Sequence, residues 1–198
     1  MNRLHITNKK IVLFISILIL ILLAVQPVLA AKSKTKVKAK PAPKPKTPIM
    51  LTYANPNYKI TLNYPSAWEK VPGYKQTIVT FGSPLESKND LFRENVTITT
   101  DTLIGKTTLK EYTDQSLERT RNTQPEYKLV QLAPTKVAGY PAHRAIYGSK
   151  YGIYQVKILQ VFTVVKGRVY TFTFTAQPDK YDKFLAQAAQ IIQSVKIK

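Results

Sequence analysis

Three carboxylates, Glu86, Asp90 and Glu94, recur at every fourth position of the polar stretch LESKNDLFRE. Hard cations such as calcium take several oxygens from one flexible segment, which makes this set the candidate metal site of the chain, with Lys88 and Arg93 diluting its charge. Beyond residue 30 there is a single histidine, His143, beside Arg144. One imidazole without carboxylates at ligand spacing does not make a zinc site, and neither H-E-x-x-H nor an EF-hand pattern occurs. Glu111, Asp114 and Glu118 stand at i, i+3 and i+7 on one helical face, but Lys110, Arg119 and Arg121 crowd them, so a solvated charged face accounts for them better than acid-base work. Nucleophilic chemistry has no setting: none of the serines at 66, 83, 87, 116, 149 and 194 lies in G-x-S-x-G, and the seven glycines form no phosphate loop. With no cysteine, disulfides, thiolate ligands and a lipid-modified cysteine are excluded. The expectation is a noncatalytic protein without an evident cofactor.

Charge is distributed unevenly. The 198 residues carry a formal net charge of +19. Residues 1–48 hold 10 Lys or Arg and no acid, which leaves 20 Lys or Arg against 11 Asp or Glu in residues 49–198, a balance of +9. The first thirty residues read as a targeting segment: Arg3, Lys9 and Lys10 precede the apolar run IVLFISILILILLAV, and Val28 and Ala30 supply the small residues of a signal-peptidase site after Ala30. The alternative is an uncleaved N-terminal membrane anchor, because Ile11 to Ala31 is long enough to cross a bilayer. Residues 31–48 then alternate lysine (Lys32, Lys34, Lys36, Lys38, Lys40, Lys44, Lys46) with small residues and prolines. This composition forbids helix and favours a solvated, disordered linker; at about 3.1 Å per residue it reaches roughly 50 Å. Its lysines are the candidate contacts to an anionic surface. Asn95-Val96-Thr97 is a glycosylation-type sequon, relevant only to an exported chain.

From residue 49 the pattern becomes that of a folded domain, and the 44% hydrophobic content of the 198 residues supports one domain, 49–198. YKITLNY (58–64) alternates apolar and polar residues as a half-buried strand does, PSAWEKVPG follows as a connector, and TIVTFGSP and NVTITTD read as strands. A helix is predicted from Thr107 or Thr108 to about Asn122, because Thr108 and Glu111 have capping-box spacing. YKLVQL, YPAHRAIYG, YQVKILQVFTVV and RVYTFTFTA read as four more strands, the last two joined by the two-residue turn Lys166-Gly167. Tyr170, Phe172 and Phe174 alternate with Thr171, Thr173 and Thr175, so one face is aromatic and the other hydroxylic. These rings fit core packing more simply than base stacking, and nucleic acid is not the expected partner. A closing helix is predicted with Asp179 as N-cap and Phe184, Leu185, Ala188, Ile191 and Ile192 on its apolar side.

YKITLNYPSAW, NVTITTD, PTKVAGYPAHRAIY and VFTVVKGRVYTFTFTAQPDKYDKFLAQAAQIIQSV together resemble the PsbP domain over about residues 53–198. The resemblance implies an α+β fold of PsbP/Mog1 type, an α/β/α sandwich around a mainly antiparallel central sheet. The family's best-known member is an extrinsic lumenal protein that supports calcium and chloride retention at the oxygen-evolving centre of photosystem II, and calcium enters as a cofactor only through that likeness. Where the photosynthetic member has a segment engaging its membrane complex, this chain has the signal-like stretch and the Lys/Pro linker, as a non-photosynthetic relative would. The reading is an exported, envelope-associated binding or accessory module on a basic tether, partnered by a membrane surface or an envelope complex. The alternatives are a calcium-binding extrinsic assembly factor and a binder of anionic lipid or polymer through the tail.

Overall fold

The computed structural model describes residues 48–198. The targeting stretch, the cleavage point after Ala30 and the lysines between Lys32 and Lys46 lie outside the described residues. Among the described residues no helix is long and apolar enough to cross a membrane.

Six of the strand-like segments and one short strand from the expected connector form one sheet, antiparallel throughout: β3 (Glu69–Pro72), β4 (Thr77–Gly82), β5 (Asn95–Thr102), β9 (Arg168–Ala176), β8 (Tyr154–Val165), β7 (Tyr140–Tyr151) and β6 (Lys128–Val137), in that spatial order. For β3–β4, β6–β7, β7–β8 and β8–β9 the antiparallel pairing follows from short connections, since tight turns close hairpins and cannot make parallel crossovers, whereas β4–β5 and β5–β9 are joined by longer segments. The β8–β9 turn shows why: Lys166 and Gly167 both take positive φ, 52° and 77°, the conformation that matches strand twist in a two-residue hairpin.

The period-2 pattern of β9 sorts the two faces. Phe172 and Phe174 are fully buried with Val96, Ile98 and Val161 beneath the helix α2 (Tyr181–Gln193), whose Phe184, Ala188, Ile191 and Ile192 descend onto them. On the opposite face α1 (Leu109–Thr123) covers Ala145, Tyr147 and Phe162 with Leu117, Leu109 and Tyr112 in a smaller cluster. Beyond α1 the hydroxylic face continues as opposed threonines, Thr97 with Thr173 and Thr99 with Thr171, and Thr80 is hydrogen-bonded to Thr97. The capping box of α1 is present: Thr108 Oγ1 accepts from the Glu111 amide at 3.2 Å and the Glu111 carboxylate accepts from the Thr108 amide at 2.8 Å.

Three features depart from the sequence expectation. A second antiparallel sheet, β1-β2-β10, is made by β1 (Met50–Asn55), β2 (Ile60–Pro65) and β10 (Lys196–Ile197), and it adds Ile60, Leu62 and Tyr64 to the α2-side core. Sequence periodicity misses β1 because the strand is mostly exposed and is held by backbone pairing to β2. The expected connector after Pro65 contains β3, and its Trp68 is buried, with Nε1 donating to Gln187 Oε1 of α2 at 2.7 Å. Finally, the N-cap of α2 is Lys180 and not Asp179: the Lys180 and Tyr181 amides bond the Gln177 carbonyl, which closes the turn by backbone alone.

Candidate binding cleft

The three carboxylates of the 86–94 segment do not converge. Glu86 is gripped by Lys180 and Lys183 at the start of α2. Asp90 braces its own loop, one oxygen accepting from the Glu86 amide at 2.9 Å and the other from the Phe92 amide at 3.1 Å. Glu94 is 1% exposed; Ser83 Oγ donates to one oxygen at 3.3 Å while Oε1 has no partner, and burial pushes its carboxyl above the ordinary range. No group of three or more metal-ligating side chains forms among the described residues. These acids hold the 83–94 loop to α2 and to the sheet.

The other singled-out residues also have structural partners. His143 lies between β7 and α1, its Nδ1 3.0 Å from Thr113 Oγ1. Because the Thr113 hydroxyl proton goes to the Leu109 carbonyl at 2.8 Å, the threonine oxygen accepts from His143 Nδ1–H, which fixes the tautomer of the neutral ring. On α1, Asp114 pairs with Lys110 at 2.7 Å and Glu118 with Arg121 at 3.7 Å, as expected of a charged face. The sequon residue Asn95 is buried in β5, its amide nitrogen donating to the Arg93 carbonyl at 3.1 Å, so the folded domain presents no glycan acceptor there.

What the sequence did not signal is a cleft of about 440 Å³ between β1, the following 3-10 turn (Pro56–Tyr58) and the β3–β4 hairpin. Tyr53, Tyr58 and Tyr74 supply rings, and Lys70 and Lys75 supply the cations at its rim. Lys70 lies over Tyr53 at 6.0 Å, Lys75 over Tyr74 at 5.3 Å, and Arg168 over Tyr58 at 5.5 Å from the ring centroid, all within cation–π range. No carboxylate lines the cleft. Its shape depends on Gly73, where a Cβ would come within 1.9 Å of the Thr77 carbonyl oxygen. A second groove, about 380 Å³, runs between α1 and the edge strand β6, with Leu117, Leu129 and Leu132 along it.

The strand registers place the cleft at a cationic end of the domain. The Thr100 amide bonds the Gln76 carbonyl, Leu103 bonds Gly167 and Lys198 bonds Lys59, so the hairpin tips and the C-terminus meet there. Lys59, Lys75, Lys106, Lys166 and Arg168 stand at this end with no ion-pair partner among the described residues. The pairs Arg93–Glu69 at 2.9 Å and Lys150–Glu126 at 3.6 Å, with the Glu86 clamp, sit at the opposite end.

The fold and this cleft define an α+β sandwich domain with one cationic, aromatic end. The chain belongs to the DcrB family, whose model matches residues 83–194, more than half of the sequence. No curated protein matches it. Among solved structures, cyanobacterial PsbP (CyanoP) of Synechocystis sp. PCC 6803 is similar at 15% identity and a TM-score of 0.58, covering 79% of this chain and 97% of that one. LpqN of Mycobacterium tuberculosis, described as involved in cell envelope biogenesis, is similar at 14% identity and a TM-score of 0.59, covering 70% and 83%. The Saccharomyces cerevisiae Ran-binding protein Mog1p is similar at 8% identity and a TM-score of 0.53, covering 76% and 96%. At these identities the likeness is one of fold. The PsbP resemblance is thus corrected to a PsbP/Mog1-like fold in a DcrB-family chain: the segments that carried it are framework alternation and turns, which the fold itself demands.

Proposed function

We propose that this protein is an exported, envelope-associated accessory module that binds a partner without transforming it. The single observation that carries the reading is the segregation of charge: among the described residues the ion pairs lie at one end and on the helices, while the cations of the aromatic end, where Asp101 is the one strand acid, are left for a partner. Uncompensated charge of one sign raises the local concentration of oppositely charged partners. DcrB-family membership, the signal-like N-terminus and a fold shared with an envelope-biogenesis protein support placing that partner outside the cytoplasm.

The test is the mature N-terminus, read by mass spectrometry, together with its cell fraction. An N-terminus at Ala31 in the envelope fraction, with the domain cleaved by protease added from outside, is expected. Intact Met1 with the domain protected from that protease would overturn the reading.

A further inference from the structure

We propose that the cleft between β1, the 3-10 turn and the β3–β4 hairpin binds an acidic saccharide, a chain of pyranose rings carrying carboxylate or phosphate groups. Three features converge on that chemistry. Its volume, about 440 Å³, lies in the range of small-ligand sites. Its rings are tyrosines, which offer a flat apolar face to the C–H face of a sugar and a hydroxyl to its polar edge. Tyr53 Oη already accepts from Asn55 Nδ2 at 3.1 Å, which fixes that ring, and Tyr53 also packs edge-on against the buried Phe81. The cations at the rim, Lys70 and Lys75, face no lining carboxylate and rest over Tyr53 and Tyr74, where an anionic substituent of a sugar held at those rings would meet them, and Arg168 adds a third charge over Tyr58. Flexible lysine stems suit anions spaced along a polymer, where a planar fork would demand one bidentate group. A lipid surface fits less well: the rings line a concavity, whereas the most exposed large apolar side chain among the described residues, Ile104 at 86%, is on a separate loop.

The inference rests on the envelope reading only for where such a polymer is met, so a failed fractionation experiment and a failed titration are distinguishable. The titration uses the full chain in amine-oxide detergent micelles, with trigalacturonate as probe and maltotriose as the neutral control, by calorimetry. Trigalacturonate is expected to bind at least tenfold more tightly than maltotriose. The K70Q/K75Q double variant should weaken it by about tenfold, the loss of two charged contacts at an open site. Tyr74→Ala, at a side chain 69% exposed and so neutral to folding, should weaken it severalfold. Four results would each overturn the proposal: equal binding of citrate, unchanged binding by both variants, loss of binding only when the seven lysines from Lys32 to Lys46 become glutamine, or retention on phosphatidylglycerol vesicles that I104D abolishes and K70Q/K75Q does not.

Discussion

Glu94 shows how a residue can look like a ligand in sequence and be something else in three dimensions. Its carboxyl is raised first by burial, against the backbone and Ser83 hydrogen bonds that lower it. A raised acid favours the folded state while protonated, so its contribution is fully present below the ordinary carboxyl value and is lost as pH rises through the folded value. Glu94→Gln removes the charge, and urea midpoints should therefore show the variant gaining on the wild type between pH 4 and pH 7; a constant difference would refute the assignment. Glu86 and Asp90 make a parallel case: with one clamped by two lysines and the other bonded to backbone amides, calcium titration at physiological salt should give no millimolar or tighter binding that Glu86→Gln removes. At His143, nitrogen NMR should find the proton on Nδ1 of the neutral ring, and Thr113→Val should cost about 1 kcal/mol for the lost bond.

Elements differ in how far local rules hold them. The first helix begins where Thr108 and Glu111 say it must, and Thr108→Ala should lower stability by about 1 kcal/mol in chemical unfolding. The strand β9 owes its place to packing, and Phe172→Ala, at a site without solvent exposure, should cost about 3–5 kcal/mol. The β3–β4 hairpin depends on close backbone approach at Gly73. Alanine there drives a methyl into the Thr77 carbonyl, so Gly73→Ala should cost about 1–3 kcal/mol and also weaken saccharide binding, although Gly73 bears no charge or ring.

Across the whole molecule the two ends of the sheet are electrically unlike. Equal changes in net charge should therefore have unequal effects. Replacing Lys59, Lys75, Lys166 and Arg168 with glutamine should lower the salt needed to elute the protein from a sulfopropyl resin more than replacing Lys88, Lys150, Lys180 and Lys183, because three of the latter four already face carboxylates. Indistinguishable elution would mean that the charge is spread evenly. The difference should vanish near 1 M salt, where the screening length falls to about 3 Å.

Much of this arrangement was legible before folding because it is local. Alternation in 154–165 and 168–176, the Lys166-Gly167 turn and the Thr108 cap each involve residues a few positions apart, and all are present as read. The strands β1, β3 and β10 were not legible, since they carry little alternation and exist through backbone pairing with β2 and β4. The cleft was hidden for the same reason. Tyr53, Tyr58, Lys70, Tyr74 and Arg168 are scattered over more than a hundred positions, and only sheet register brings them together. Composition and local pattern determined the class of fold and the excess of positive charge; tertiary structure alone decided which carboxylates that charge would meet and which lysines would be left facing solvent.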